Sequence, residues 1–169
     1  MRQVGYKKRK NRYWSACLVA VVLMLAWVTF SRGSVGRINA NCFPLDTEQW
    51  RVTDAYGWRR DPFTGKNCFH AGVDLACAEG TEVLAVESGV ILSAKRSKSY
   101  GNCIKVWHLD GNESLYAHLQ YLYVRAGETV SAGQCLGTVG QTGNATGPHL
   151  HFERRIQGQC CDPVHYLGL

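Results

Sequence analysis

The sequence predicts a mostly β, antiparallel domain preceded by one N-terminal transmembrane helix. Three observations predict it: seven short runs with β alternation, glycine-rich turns between them, and one uncharged apolar segment near the start of the chain. No segment has the sustained 3.6-residue period of a long amphipathic helix. Residues 42 to 169, which number 128, are enough for one domain with a hydrophobic core.

The first predicted element is the apolar segment from Trp14 to Phe30. Its 17 uncharged residues are at the lower limit for a helix that crosses the bilayer. We expect a cytoplasmic tail over 1–13 and an anchor over 14–30, because a basic flank marks the cytoplasmic side. A cleaved signal peptide is the alternative, and it would leave the remainder secreted. The basic flank consists of Arg2, Lys7, Lys8, Arg9, Lys10 and Arg12.

The positive charge of the chain is concentrated in this tail. Six of the 19 Lys and Arg lie there, which leaves 13 to balance the 13 Asp and Glu. The excess of basic residues therefore indicates membrane topology and contact with anionic lipids. Nucleic acid is not an expected partner, because no basic stripe with interleaved aromatic residues remains outside the tail.

The domain itself is expected over 49–169, after a linker over 31–48. Consecutive β runs joined by short turns predict antiparallel neighbours. Turns are expected at Glu79-Gly80, Ser88-Gly89, Asp110-Gly111-Asn112 and Ala126-Gly127-Glu128. The predicted strands are Gln49 to Ala55, Thr81 to Val86, Val90 to Ala94, Cys103 to Leu109, Glu113 to Ala117, Cys135 to Val139 and His149 to Arg155.

The segment TGNATGPHLHFE, from Thr142 to Glu153, has the strongest chemical signal. His149 and His151 are two residues apart in a predicted strand, so they share a face about 6.6 Å apart and can reach one small site. The glycines and proline just upstream place the pair where a strand leaves a loop. This pattern is typical of a metal centre, and two partly exposed strand histidines are the alternative.

A second cluster supplies further metal-binding groups, since His70 and Asp74 are four residues apart with Gly72 between them. A catalytic zinc ion takes three N or O protein ligands and keeps a fourth position for water. A straight strand would hold the two Cα atoms about 13 Å apart. We therefore expect a bent strand in which Gly72 permits a bend or a close backbone approach. A plain surface carboxylate at Asp74 is the alternative.

Three other histidines are candidates with weaker support. His118 is predicted to share a strand face with Ser114, and His108 shows the same alternation. His165 is expected at the surface near the C-terminus. Periodicity alone does not rank these three.

Several motifs together resemble the lysostaphin/LytM-type zinc metallopeptidases of bacterial cell walls. They are HAGVD from His70, YAHL from Tyr116, the HLHFE segment, Tyr56-Gly57-Trp58-Arg59, Asp61-Pro62, Tyr100-Gly101-Asn102, Gly133-Gln134 to Gly137, and Asp162-Pro163. The resemblance implies that His70, Asp74 and His151 bind Zn²⁺. It also implies that His118 and His149 are an unliganded catalytic pair, one of which activates water while the other stabilises the oxyanion.

The function implied by the resemblance is hydrolysis of peptide bonds in the stem or cross-bridge of peptidoglycan. The domain would act on the outer side of the bacterial cell membrane, and the loops Gln141 to Gly147 and Tyr56 to Asp61 would form a peptide groove. A non-hydrolytic wall-binding or scaffold protein for division, sporulation or secretion is the alternative. Retention of all five site residues favours the enzyme.

The chain has eight cysteines, of which Cys17 lies in the apolar segment. The seven others cannot all pair within one chain, because their number is odd. Cys68 and Cys77 bracket the HAGVD segment and are candidates for a disulfide that clamps it. Cys68, Cys103 and Cys135 stand where the resemblance leads us to expect ordinary strand or turn residues.

Overall fold

The computed structural model describes residues 42–169, so the predicted tail over 1–13 and the predicted span from Trp14 to Phe30 lie outside the described residues. Within residues 42–169 we find no helix that is both long enough and apolar enough to cross a membrane. The elements are β1 (Arg51–Asp54), β2 (Gly57–Arg60), β3 (Asn67–His70), β4 (Val73–Ala76), β5 (Glu82–Leu84), β6 (Gly89–Ser97), β7 (Gly101–His108), β8 (Glu113–Leu122), β9 (Thr129–Val130), β10 (Cys135–Val139), β11 (His149–Ile156), β12 (Gln159–Cys161) and α1 (Val164–Leu167).

Ten of these strands form one sheet. Its main path runs β1-β4-β11-β8-β7-β6-β9, while β12 pairs with β11, β10 pairs with β8, and β5 pairs with β10. β2 and β3 form a separate hairpin. The strand pairs within the described residues are antiparallel. The prediction of a mostly β, antiparallel domain is therefore confirmed.

The seven predicted runs all overlap strands, but the region from Gly57 to Ala76 differs from the prediction. The sequence suggested one bent strand that carries both His70 and Asp74. The structure instead ends β3 at His70 and begins β4 at Val73. The β2–β3 hairpin was not predicted because its less exposed face lacks a row of large apolar residues and carries Arg59 and His70. Its large apolar residues lie on the other face, where Trp58 is 77% exposed and Phe69 is 46% exposed.

The core determines which way the central strand β11 faces. Leu150 and Phe152 are fully buried, and Phe152 packs edge-on against Tyr116 with ring centroids 5.4 Å apart. Burial of each such side chain stabilises the fold by about 1.5–3 kcal/mol. A one-residue slip of β11 would turn these side chains out of the core. The same packing therefore directs the alternate residues, His149 and His151, to the opposite face of the sheet.

The hydrogen bonding of the domain begins before β1. Backbone hydrogen bonds join residues 42–46 to the segment 82–86, which contains β5. Leu45 is 4% exposed and forms an isolated bridge with Val83. The ordered domain therefore includes part of the segment that the sequence assigned to the linker over 31–48.

Candidate metal centre

Three strands bring the predicted metal ligands together. His70 ends β3, while Asp74 in β4 and His151 in β11 are direct partners across the sheet. Gly72 permits this approach, because a Cβ atom at that position would lie 2.2 Å from the carbonyl oxygen of Phe152. The predicted close backbone approach at Gly72 is confirmed. Any larger residue there would push β4 away from β11.

The tautomers of the two imidazoles follow from their outer hydrogen bonds. Nδ1 of His70 lies 2.8 Å from the carbonyl oxygen of Ala55. Nε2 of His151 lies 3.2 Å from Oε1 of Glu153. Since a carbonyl and a carboxylate can only accept, both of these nitrogens carry hydrogen. If these outer hydrogen bonds are kept by neutral rings, Nε2 of His70 and Nδ1 of His151 have lone pairs, whereas a protonated His151 also donates from Nδ1 to the carboxylate of Asp74.

These lone pairs converge on the carboxylate of Asp74. Oδ1 of Asp74 lies 3.1 Å from Nε2 of His70 and 2.8 Å from Nδ1 of His151. The two nitrogens lie 3.0 Å from each other. Three acceptors with no donor between them repel one another unless a cation or a proton is shared.

The donor set fits zinc. Two imidazole nitrogens and one carboxylate oxygen are among the ligands that Zn²⁺ takes at catalytic sites, and bond lengths of about 2.0–2.1 Å imply ligand separations of about 3.3 Å. The outer hydrogen bonds to Ala55 and Glu153 fix each ring in its ligating tautomer. In the metal-free protein, a proton supplies the positive charge between the three acceptor atoms. Burial disfavours the charged form of His151, but hydrogen bonds to Asp74 and Glu153 outweigh it and raise the pKa of His151 to about 9.

His118 reaches the same cleft because β8 is bulged. Asn102 pairs with Leu119 and Ile104 pairs with Tyr116, so that one residue of β7 faces two residues of β8 at this point. His118 itself has a φ of 62°, in the left-handed region that a residue with a Cβ rarely adopts. Such local strain in a β strand is characteristic of functional sites.

The bulge also corrects the prediction that His118 and Ser114 share a face. Ser114 is buried on the core side, where its hydroxyl lies 2.8 Å from Nε2 of His108. His108 is fully buried and its Nδ1 lies 3.2 Å from the carbonyl oxygen of Ser88. The structure therefore separates His108 from the cleft and places His118 in it. His165 is exposed on α1.

His118 and His149 form a pair beside the predicted ligands, with ring centroids 4.7 Å apart. Nδ1 of His118 lies 2.8 Å from the carbonyl oxygen of Thr142, and Nδ1 of His149 lies 2.8 Å from that of Gly147. Each ring therefore holds its hydrogen on Nδ1 and presents a lone pair at Nε2. Burial lowers the pKa of His118 to about 4, although the hydrogen bond to Thr142 acts in the opposite direction. His118 is thus neutral at physiological pH.

Glu153 is a site residue that the sequence analysis missed. Its fully buried carboxylate accepts hydrogen bonds from the hydroxyl of Tyr100 at 2.5 Å and from Nε of Arg155 at 2.9 Å, besides the contact with His151. Burial favours the neutral acid, but these donors outweigh it and lower the pKa of Glu153 to about 2. The alternation that marked His149 and His151 extends to Glu153 two residues later, so this signal was present in the sequence.

A cleft of about 490 Å³ surrounds the five predicted site residues. Asn144 and Thr146 line it from the loop Gln141 to Gly147, and Arg59 and Asp61 line it from the β2–β3 hairpin. Both segments therefore line the cleft, and their role in receiving a peptide stays a prediction.

The cysteines of the described segment do not form disulfides. All seven are free thiols: Cys42, Cys68, Cys77, Cys103, Cys135, Cys160 and Cys161. The suggested clamp between Cys68 and Cys77 is therefore not formed in the structure.

Comparison with known sequences identifies relatives over most of the described domain. The profile described as Peptidase family M23 matches residues 68–163. The chain is 42% identical over 114 residues to the DD-carboxypeptidase/endopeptidase Mpg of Neisseria meningitidis, covering 68% of this chain and 26% of that protein. It is 35% identical over 118 residues to the peptidoglycan DD-endopeptidase ShyA of Vibrio cholerae, covering 69% and 27%. The chain thus spans about a quarter of the length of these curated relatives.

Solved structures show the same fold. A zinc-containing peptidase from Vibrio cholerae matches with a TM-score of 0.67 and 29% identity, over 73% of this chain and 39% of that one. The catalytic domain of the antimicrobial peptidase lysostaphin from Staphylococcus simulans matches with a TM-score of 0.65 and 35% identity, over 71% and 93%. The resemblance to lysostaphin-type peptidases that the motifs predicted is confirmed.

Proposed function

Because this chain belongs to peptidase family M23, we propose that it is a zinc-dependent endopeptidase that hydrolyses peptide bonds in the stem or cross-bridge of bacterial peptidoglycan. The observation that carries the proposal is the convergence of acceptor atoms from His70, Asp74 and His151 next to a second pair of histidines. The names of the relatives, which include a DD-carboxypeptidase/endopeptidase and a peptidoglycan DD-endopeptidase, support the reaction and the substrate.

The predicted ligands His70, Asp74 and His151 would hold the ion. Zinc bound there supplies a Lewis acid that polarises a carbonyl and lowers the pKa of a water molecule towards about 7. The rigid pairing of Asp74 with His151 across two central strands keeps the donor atoms in place. Glu153 holds the His151 ring in the ligating tautomer.

His118 is the proposed general base. Its Nδ1 is committed to the carbonyl oxygen of Thr142, and burial keeps the ring neutral. Its Nε2 therefore has a lone pair that can accept a proton in the cleft. His149 is the proposed oxyanion partner, since its ring lies beside that of His118 in the cleft and its Nε2 lies 3.7 Å from Oδ2 of Asp74.

The function is tested by measuring zinc content together with the release of peptide fragments from purified cell walls. The wild-type chain should contain about one zinc ion per molecule and release fragments, as expected for one three-ligand catalytic site. The His118→Ala variant should keep the zinc and release far less, while His165→Ala, which changes an exposed histidine, should match the wild type. Zinc without any fragment release would favour the non-hydrolytic scaffold.

We further propose that the domain lies outside the cytoplasm and is tethered by the segment from Trp14 to Phe30. The six basic residues before Trp14 and the balanced charge of the rest of the chain support this orientation. A reporter fused after Leu169 should be extracytoplasmic, and the protein should stay with membranes during high-salt washing. Extraction by salt alone would contradict a spanning anchor. A shortened soluble form beginning between Ser31 and Asn41 would indicate a cleaved signal peptide.

A further inference from the structure

Arg59 is the only lysine or arginine among the described residues that line the cleft. It lies in β2, where Gly57 pairs with His70 and Arg59 pairs with Cys68 across the hairpin. Since alternate residues share a face of the hairpin, Arg59 is on the same side as His70. Its side chain is 25% exposed, so it is half-buried at the edge of the metal centre.

Asp54 links Arg59 to the metal centre. Nε of Arg59 lies 2.8 Å from Oδ2 of Asp54, and Oδ1 of the same carboxylate lies 4.0 Å from Nδ1 of His70. A guanidinium has five N–H donors. The contact between Nε of Arg59 and Asp54 is an ion pair without hydrogen-bond geometry, and the buried Nε has no hydrogen-bond partner among the described residues. Among the described residues, the two Nη groups of Arg59 have no further carboxylate partner.

Hydrogen bonds from Thr64 and Phe63 hold Oδ1 of the neighbouring Asp61 in the turn of the hairpin, and together with the nearby charge of Arg59 they lower the pKa of this carboxyl. Its Oδ1 accepts hydrogen bonds from the backbone N–H of Phe63 at 3.0 Å, the backbone N–H of Thr64 at 2.7 Å and the hydroxyl of Thr64 at 2.9 Å. These bonds tie Asp61 into the turn of the hairpin. Phe63 and Phe69 also line the cleft. The half-buried Arg59 guanidinium, whose N–H donors lie in one plane, suits a planar anion such as a carboxylate.

We propose that Arg59 binds a carboxylate of the substrate peptide, either at its C-terminus or on a side chain close to the scissile bond. The inference rests on the proposed peptidase function and specifies that the cleft selects substrates with a free, negatively charged carboxylate. A carboxylate can accept both Nη donors in bidentate geometry, whereas a carboxamide offers one oxygen and brings donors of its own. Discrimination between acid and amide is therefore expected, because the amide leaves an N–H group unpaired.

The test uses synthetic peptides cross-linked through a D-alanyl amide bond. In matched pairs, either the C-terminal or the side-chain carboxylate is kept free or converted to a carboxamide. For the zinc-loaded full chain, conversion of the recognised carboxylate should lower kcat/KM about 10- to 100-fold, the range for hydrogen bonds to charged groups. The pair that responds shows whether the carboxylate is C-terminal or on a side chain.

Variants assign this discrimination to Arg59. Arg59→Gln should lower the rate on the acid peptide to that on the carboxamide and so erase the difference, and Arg59→Lys should restore part of it by returning the charge. Arg60→Gln is the matched control, because Arg60 is the next residue of β2, is exposed, and does not line the cleft. It should keep the full discrimination.

Binding measurements separate this inference from the proposed function. Calorimetry with zinc-loaded His118→Ala protein gives the affinity for the acid and carboxamide peptides, with and without Arg59→Gln. Carboxylate-dependent binding that is lost with Arg59→Gln supports the inference even if no peptide is cleaved, in which case the proposed function fails alone. Equal kcat/KM and equal affinity of the wild type for the acid and carboxamide peptides would overturn the inference. So would an equal loss on both peptides in Arg59→Gln, since it would show that Arg59 only supports Asp54 and His70.

Discussion

Nε2 of His70 lies 3.0 Å from Nδ1 of His151, although the outer hydrogen bond of each ring leaves a lone pair on that nitrogen. Two lone pairs at this distance are unfavourable, and the carboxylate of Asp74 beside them adds a third acceptor. The fold has therefore brought together groups that are stable only around a positive charge. The zinc assignment follows from this relationship as well as from the family.

The first prediction concerns the ligands. His70→Ala, Asp74→Ala and His151→Ala should each lower zinc occupancy, because a three-ligand site loses one of its protein donors. Metal analysis of the purified variants checks this, with His165→Ala as the exposed control. A variant that keeps stoichiometric zinc would show that its residue is not a ligand.

The second prediction separates the catalytic pair from the ligands. His118→Ala and His149→Ala should keep zinc, while turnover of cell-wall peptides falls by roughly 10²- to 10⁴-fold, as expected for loss of general acid–base or oxyanion groups. His108→Ala should lower stability rather than the rate per folded molecule, since His108 is buried on the core side of the sheet. Loss of zinc in His149→Ala would instead mean that both members of the H-x-H motif bind the metal.

The position of His118 shows what the sequence could not supply. Strict alternation along β8 groups His118 with Ser114, and it is a bulge opposite β7 that turns His118 into the cleft. A bulge depends on the register of two strands that are distant from each other in sequence, and no local pattern encodes that register. Only the resemblance singled out His118 over His108.

Other parts of the site were accessible from local physics. The alternation in His149 to Glu153 predicted a shared face, and Gly72 predicted a close approach that the structure confirms. The same alternation places Glu153 on this face, but alternation alone does not show that its carboxylate is buried. Its complete burial, which decides its role, arises from packing against Tyr100 and Arg155.

The third prediction concerns Glu153. Glu153→Gln should lower zinc affinity by about 10- to 100-fold, because the hydrogen bond from Nε2 of His151 fixes the ligating tautomer and loses its charged acceptor. Competition with a chromophoric chelator measures this affinity. Glu113→Gln is the control, since Glu113 of β8 forms an ion pair with Lys105 of β7 and does not line the cleft. Equal affinities in the two variants would show that Glu153 has no influence on the metal.

The fourth prediction concerns the pH dependence of the metal-free protein, which should be most stable near pH ~6.5, the ordinary histidine pKa. Burial lowers the pKa of His151, but hydrogen bonds to Asp74 and Glu153 outweigh this effect and raise it to about 9. Between about 6.5 and 9 the folded state therefore keeps a proton that the unfolded chain loses, and stability falls as pH rises. Burial lowers the pKa of His118 to about 4, so stability also falls as pH decreases from about 6.5 towards 4.

Zinc should remove the alkaline part of this profile, because the ion takes the place of the proton on His151. Thermal unfolding of chelator-treated and zinc-loaded protein from about pH 5 to about pH 9 compares the two profiles. Zinc binding near pH ~7 should also release the His151 proton, which calorimetry in two buffers of different ionisation enthalpy detects. Two results together would contradict this prediction: a Tm of the metal-free protein that does not change between about pH 6.5 and about pH 9, and zinc binding without proton release. They would mean that His151 is already neutral and that the three acceptor atoms are stable side by side without a cation.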